Sequence, residues 1–256
     1  MPLPLAPPPL TSASAGTTRP WRLALELALG GIALLGLLAL LGLPASQAGG
    51  TSLPWVTALA SMTYLGMAAL LWRGLRRGAW PRTSLGPANR VTLARGILVA
   101  LLAGTLADPA LLAAQAAWLF VLALIALALD GVDGWVARRT GSASALGARF
   151  DMELDAFFIL VLCLALLLLD RVGPWVLAIG AMRYAFVAAS WRWAWLAGEL
   201  PESLRRKAVC VWQVAALMLA LLPATPGLIA TWLAATALAG LTLSFAVDIR
   251  WLYRHR

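Results

Sequence analysis

The sequence predicts an all-α, polytopic integral membrane protein, because it is strongly apolar, poor in charge and built from long apolar runs. Of its 256 residues, 62% are hydrophobic and 12% charged, and the mean hydropathy is +0.84. Soluble domains carry about a quarter charged residues. Apolar runs of about 20 residues, enough to cross a hydrocarbon core about 30 Å thick, recur along nearly the whole chain. Since the backbone finds no water in lipid, these runs must be helical.

The N-terminal region divides into a tail and a first helix. Residues 1–20 are rich in Pro, Ser, Thr and Ala, which predicts a disordered tail. Residues 21–44 form the first apolar run, and the ASQAGG that follows resembles a signal-peptidase site. That run is longer than the apolar region of a signal peptide, which is about 7–15 residues. We therefore expect an uncleaved helix.

Seven further apolar runs bring the predicted number of membrane-spanning helices to eight. They cover residues 54–72, 88–107, 111–137, 145–169, 174–196, 206–223 and 227–248. Basic residues concentrate in alternate loops and at the C-terminus: Arg73, Arg76, Arg77, Arg82 and Arg90, then Arg138, Arg139 and Arg149, then Arg205, Arg206 and Lys207, then Arg250, Arg254 and Arg256. By the positive-inside rule, both termini and the end of the span at 111–137 face the cytoplasm.

The net charge, the two cysteines and the single histidine argue against several classes of function. The formal net charge is +9, and every basic residue except Lys207 is an arginine. Because these residues are scattered between apolar runs, they suit an anionic membrane surface, and we expect no nucleic-acid partner. Cys163 and Cys210 lie in apolar surroundings and are predicted core residues. The one histidine, His255, lies in the basic tail, so we expect no histidine catalysis.

Acidic residues cluster at the cytoplasmic end of two predicted helices. Five of the eleven fall between residues 130 and 155. At about 100° per residue, four of them form stripes on two helix faces, and Glu153 points away from its stripe. The short polar connection RRTGSASA makes the two helices antiparallel neighbours, so the stripes can meet. The four aspartates are Asp130, Asp133, Asp151 and Asp155.

Two interpretations of this cluster are open. The aspartates are solvated or paired with nearby arginines, or they bind a metal. Each ionised carboxylate near hydrocarbon costs about 2–3 kcal/mol, and mutual repulsion adds to that cost. A divalent cation removes both penalties, and oxygen ligands favour Mg²⁺ or Mn²⁺. The small residues Gly134, Ala137 and Gly147 would let a substrate approach closely, so the pattern favours a metal site for a phosphate-bearing ligand.

A family resemblance lies in the same residues. The pattern Asp130-x-x-Asp133-Gly134-x-x-Ala137-Arg138, followed after eight residues by Gly147-x-x-x-Asp151-x-x-x-Asp155, resembles the signature of the CDP-alcohol phosphotransferases at all eight positions. Upstream, Asn89, Thr92 and Arg95 resemble the Asn-x-x-Thr-x-x-Arg opening of the first core helix. The resemblance covers about residues 85–250. It implies a six-helix core within 85–256, preceded by the tail at 1–20 and two extra helices within 21–84.

The resemblance also implies an activity and roles for the residues. The activity is transfer of a phosphatidyl group from CDP-diacylglycerol to an acceptor alcohol, with release of CMP, by a homodimer that uses two Mg²⁺ or Mn²⁺ ions. Asp130, Asp133 and Asp151 would hold metal, and Asp155 would assist them and act as general base. The nucleotide pocket would include Gly134, Ala137, Gly147, Asn89 and Thr92, with Arg138 near the diphosphate. Glycerol phosphate, inositol phosphate, serine and phosphatidylglycerol remain open as acceptors.

The remaining cations have two interpretations each. Arg95 and Arg183 lie within predicted spans, so each either pairs with an aspartate or meets a substrate phosphate. Arg205, Arg206 and Lys207 either set topology or bind an acidic acceptor. The alternative function is a cation-coupled transporter or divalent-cation channel. Transporters often carry internal repeats, whereas this sequence has a single aspartate cluster, which disfavours that alternative.

Overall fold

The computed structural model describes residues 20–46, 53–76, 85–140, 144–198, 200–201 and 203–255, and within these ranges every regular element is a helix. The predicted N-terminal tail lies outside the described residues up to residue 19, as does the basic loop at 77–84. The α-helices are α1 (Pro20–Ser46), α2 (Leu53–Arg76), α3 (Gly86–Thr105), α4 (Pro109–Ala114), α5 (Ala116–Thr140), α6 (Ala145–Leu168), α7 (Leu177–Arg192), α8 (Leu204–Leu221) and α9 (Gly227–Arg254). Two 3₁₀ turns, Pro174–Val176 and Ala194–Ala197, flank α7.

Each of the eight predicted spans corresponds to a long helix, but the span predicted at 111–137 differs at its start. A short helix, α4, precedes α5, and Gln115 between them leaves the helical region with φ −104° and ψ 12°. The Asp108 carboxylate accepts the N–H groups of Ala110 (3.0 Å) and Leu111 (3.1 Å). This cap starts a helix earlier than hydropathy indicates, because a capping carboxylate satisfies otherwise unpaired N–H groups.

Four helices in the described part of the chain are long and apolar enough to cross a membrane: Trp21–Leu40, Leu53–Gly74, Ala116–Ala137 and Gly227–Arg254. The other long helices are shorter or carry more charge. α7 has 16 residues, α6 carries three carboxylates, α8 has three basic residues in its first turn, and α3 carries two arginines. The number of eight spans and their orientation therefore stay predictions.

Helix α3 lies at the centre of the bundle, packed against α1, α2, α5 and α6, and most of its residues are buried. Glycines let α2 approach it closely. A Cβ atom at Gly104 would lie 2.8 Å from both the Val56 carbonyl oxygen and the Ala60 Cβ, and one at Gly96 would lie 3.3 Å from the Met67 sulfur. Such small-residue contacts are typical of helices packed in membranes. They fix α3, which carries several predicted site residues.

At the end of the bundle away from the aspartates, Arg171 links two turns. Its guanidinium donates to the carbonyl oxygens of Leu222 (2.7 Å) and Thr225 (2.5 Å), which follow α8. The preceding residue, Asp170, adopts φ 50°, which turns the chain after α6. A cation at a helix C-terminus pairs with carbonyl groups that lack helical partners. The sequence predicts only a short connection here, between the spans at 145–169 and 174–196.

Candidate functional site

The second helix of the aspartate cluster, α6, begins with a serine cap. Ser144 has extended backbone angles, and its hydroxyl accepts the Gly147 N–H at 3.0 Å. From this start, Asp151 and Asp155 lie four residues apart on one helix face, as periodicity predicts. Local sequence chemistry therefore sets where α6 begins and places Asp151 and Asp155 on one of its faces.

Three of the four predicted metal ligands come together. One carboxylate oxygen from each of Asp130, Asp151 and Asp155 lies within 4.8 Å of the other two. These side chains come from the C-terminal half of α5 and from the first three turns of α6, and each is partly exposed. Oxygens bound to one Mg²⁺ or Mn²⁺ at about 2.1 Å lie up to about 4 Å apart. The observed separations of at most 4.8 Å are close to that spacing, so the oxygen donor set fits such an ion.

The fourth aspartate, Asp133, is held differently. It is 5% exposed, and its Oδ2 accepts the Thr92 hydroxyl at 3.0 Å. Thr92 lies on α3, one helical turn from Arg95, whose guanidinium is 3.7 Å from the same oxygen. The periodicity made the four aspartates equivalent, whereas in the structure Asp133 is more deeply buried and tied to α3.

Arg95 lies in the middle of all four aspartates. Its side chain is 2% exposed and forms ion pairs with Asp130, with Asp151 (2.5 Å) and with Asp155 (3.0 Å), besides its contact with Asp133. The sequence left two roles open for Arg95, an ion pair with an aspartate or a contact with a substrate phosphate. In the structure Arg95 forms ion pairs, and it has four aspartate partners rather than one. Formally, four carboxylates and one guanidinium leave three uncompensated negative charges, which favours a divalent cation at this site.

The predicted nucleotide pocket lies beside the cluster. Asn89 is buried, and its Nδ2 donates to the Leu85 carbonyl oxygen at 2.6 Å. Gly147 is buried against it, and a Cβ atom there would collide with Asn89 Oδ1. Gly134 and Ala137 are half-buried on α5. Arg138 also lies on α5, but its side chain is outside the described residues.

Arg183 is placed apart from the aspartates. Its guanidinium donates to Glu153 at 2.6 Å, and both side chains are partly exposed. Arg183 thus forms a salt bridge, as one of its two interpretations predicts, but its partner is Glu153 rather than one of the four aspartates. Because Glu153 points away from the Asp151 stripe on α6, this pair lies on another face of the helix.

The basic residues at the start of α8 contact α9. Arg205 donates to the Ser244 carbonyl oxygen at 2.6 Å and forms an ion pair with Asp248, and Arg206 lies 3.6 Å from Asp248. Lys207 is exposed. Sequence reasoning missed Asp248, although a lone carboxylate at the end of an apolar run is a detectable signal.

The family model described as CDP-alcohol phosphatidyltransferase matches residues 85–243, so the chain belongs to the CDP-alcohol phosphatidyltransferase family. It is accordingly a membrane transferase of phospholipid biosynthesis that uses a CDP-alcohol donor and an alcohol acceptor. No curated protein and no solved structure matches the chain. The matched segment contains the whole aspartate cluster, whereas α1 and α2 lie outside it.

Proposed function

We propose that the protein transfers the phosphatidyl group of CDP-diacylglycerol to the hydroxyl group of an acceptor alcohol, with Mg²⁺ or Mn²⁺ as cofactor. The observation that carries this proposal is the convergence of Asp130, Asp151 and Asp155 within 4.8 Å, beside the end of α5, a helix long and apolar enough to cross a membrane. A lipid-linked diphosphate can reach such a site while its acyl chains stay in the bilayer. This position explains why a charged site is built on apolar helices.

The carboxylates divide the chemistry between them. Two bound metal ions would neutralise the charge of the diphosphate and stabilise the negative charge that develops on its oxygens. Asp130, Asp133 and Asp151 would be the main ligands. Asp155 would assist them and take the proton of the acceptor hydroxyl. The new bond joins the acceptor oxygen to the phosphorus that carries diacylglycerol, and the bond from that phosphorus to the CMP oxygen breaks.

The nucleotide would lie along the small residues Gly134, Ala137 and Gly147. Asn89 and Thr92 of α3 would complete this pocket, and Arg138 would lie near the diphosphate. Small side chains suit this position because the nucleotide must approach the carboxylates closely. Lys207, whose side chain is exposed, would contact a phosphate of the substrates. The other candidate cations are engaged in ion pairs with carboxylates: Arg95, Arg183, Arg205 and Arg206.

The proposal includes a membrane arrangement. Residues 21–84 would form two added spans, and residues 85–256 a six-helix catalytic domain, with the site and both termini in the cytoplasm. The alternation of basic loops in the sequence supports this orientation. We also propose a homodimer.

The function is tested by measuring CMP release from CDP-diacylglycerol in proteoliposomes that contain the purified protein. We expect release that requires Mg²⁺ or Mn²⁺, stops with EDTA and depends on an added acceptor alcohol. A parallel measurement of Mn²⁺ flux tests the transporter alternative. Metal flux without CMP release under any acceptor would contradict the proposal.

Gly147→Ala tests the nucleotide pocket. We expect CDP affinity to fall about tenfold, because the added Cβ would displace Asn89, and overpacking a tight contact costs about 1–3 kcal/mol. Gly131→Ala on α5 is the matched control, since a Cβ there meets no atom within 4 Å. Titration of both variants with CDP in the presence of Mn²⁺ makes the comparison. Equal CDP affinity in the two variants would remove Gly147 from the pocket.

A further inference from the structure

A carboxylate of the first helix contacts the start of α3. Glu26 of α1 accepts the backbone N–H of Leu85 at 2.9 Å through its Oε2. Its Oε1 accepts from the guanidinium of Arg90, at 3.1 Å from Nε and 2.5 Å from Nη2. The Glu26 side chain is 17% exposed and that of Arg90 59% exposed. The contact with Leu85 is therefore the more shielded of the two.

Helix α3 has no cap of its own at this end. Leu85 provides no side-chain hydrogen bond to the helix, and Gly86 follows it with φ 76°. The first N–H groups of a helix lack intrahelical partners, and a negative charge near them is stabilising. Glu26 provides an acceptor for the Leu85 N–H from a position 59 residues upstream.

Leu85 connects Glu26 to the predicted nucleotide pocket. Its N–H donates to Glu26, and its carbonyl oxygen accepts from Asn89 Nδ2 at 2.6 Å. Asn89 in turn lies against Gly147, where an added Cβ would meet its Oδ1. A continuous series of contacts thus runs from α1 through the start of α3 to α6.

The first two helices are also joined to each other beside Glu26. The Tyr64 hydroxyl of α2 donates to the Leu27 carbonyl oxygen of α1 at 2.6 Å, and Tyr64 is 4% exposed. Near the other end of α3, Gly104 packs directly on the backbone of α2. The two helices therefore hold α3 at both ends.

We propose that Glu26 is a positioning residue for nucleotide binding: through Leu85 it sets the place of Asn89 against Gly147, which gives α1 and α2 a role in the site of the family domain. This inference rests on the proposed function, because it takes the surroundings of Asn89 and Gly147 as the nucleotide pocket. Glu26 itself contacts no substrate. Its effect is on the affinity for the nucleotide and not on the transfer step.

Glu26→Ala tests the proposal in the full-length protein in lipid nanodiscs. The dissociation constant of CDP with Mn²⁺, and the KM for CDP-diacylglycerol, should rise about fivefold, the size expected for loss of a helix cap. The kcat at saturating donor should stay unchanged. In a double-mutant cycle, Glu26→Ala should add nothing once Asn89→Ala is present, because Glu26 acts through Asn89.

Three variants separate the Leu85 contact from other effects. Glu26→Gln keeps an oxygen for the Leu85 N–H, Arg90→Ala removes only the exposed ion pair, and Tyr64→Phe loosens α1 from α2. All three should bind CDP like the wild type. Should Glu26→Ala fail to fold, Glu26→Asp replaces it, since the shortened side chain should give the same fivefold loss.

The outcomes distinguish this inference from the proposed function. Wild-type protein that does not bind CDP would overturn both. Wild-type binding with unchanged affinity in Glu26→Ala would overturn the inference alone. An equal loss in Glu26→Gln or Tyr64→Phe would do the same, because it would trace the effect to charge or to general loosening of the helix pair.

Discussion

Asp155→Asn should lower the rate of CMP release by about a thousandfold, while the protein stays folded and binds CDP. The substitution keeps the shape of the side chain and an oxygen for the Arg95 contact, but it removes the proposed base and one negative charge from the cluster. The measurement is single-turnover CMP release in proteoliposomes at saturating donor, acceptor and Mn²⁺, together with CDP titration. Full activity in Asp155→Asn would remove Asp155 from the reaction.

Glu153→Gln is the matched control for this prediction. Glu153 lies on the same helix, and the substitution also replaces one carboxylate by an amide. Its ion pair with Arg183 is partly exposed, so it contributes at most about 1 kcal/mol. We expect CMP release within about threefold of the wild-type rate. A loss as large as that of Asp155→Asn would show that any charge change on α6 disturbs the site.

Arg95→Met should destabilise the protein strongly in EDTA, by about 3–5 kcal/mol, because it leaves several carboxylates close together without their buried cation. Addition of Mn²⁺ should raise the Tm of this variant more than that of the wild type. A cluster without the guanidinium is more negative and should bind a divalent ion more tightly, and a ligand that binds the folded state stabilises it. The measurement is thermal unfolding in detergent over a range of Mn²⁺ concentrations.

Two further arginine variants sharpen this comparison. Arg95→Lys keeps the charge but loses the planar fork that reaches several carboxylates, so its Tm in EDTA should be intermediate. Arg90→Met removes an arginine from the same helix whose side chain is 59% exposed, and its Tm should change little. A Tm for Arg95→Met in EDTA equal to that of the wild type would contradict the central place of Arg95 in the cluster.

Helical periodicity was enough to predict the two aspartate stripes. Asp130 and Asp133 are three residues apart, Asp151 and Asp155 four, and a short connection joins their helices. The approach of Asp130 to Asp151 and Asp155 agrees with that spacing and the short connection. The position of Asp133 outside the three-oxygen cluster did not follow, because it depends on a hydrogen bond from Thr92 of another helix.

The contacts that the sequence could not predict are those between distant helices. Arg95 reaches carboxylates 35 and 56 residues away, and Arg205 reaches Asp248 43 residues away. Helix periodicity gives the face of a residue but not the helix that packs on that face. The sequence therefore predicts two alternative roles for each of these arginines. Their partners are known only from the packing of the helices.

The role of the two N-terminal helices is even harder to predict from the sequence. The family resemblance began at about residue 85, so it gave no role to α1 and α2. Glu26 is an isolated acid in an apolar run, which signals an intramembrane partner but does not identify it. Only the packing of α1 on α3 reveals the contacts with Leu85 and Arg90.

The central claim is tested most directly by following the phosphorus that carries diacylglycerol in CDP-diacylglycerol. With that phosphorus labelled, purified protein in proteoliposomes and a panel of acceptor alcohols, we predict that the label passes to a new phospholipid. One CMP should be released for each lipid formed, and only with Mg²⁺ or Mn²⁺ present. Label that remains in CDP-diacylglycerol with every acceptor, or that appears only in phosphatidic acid, would contradict phosphatidyl transfer.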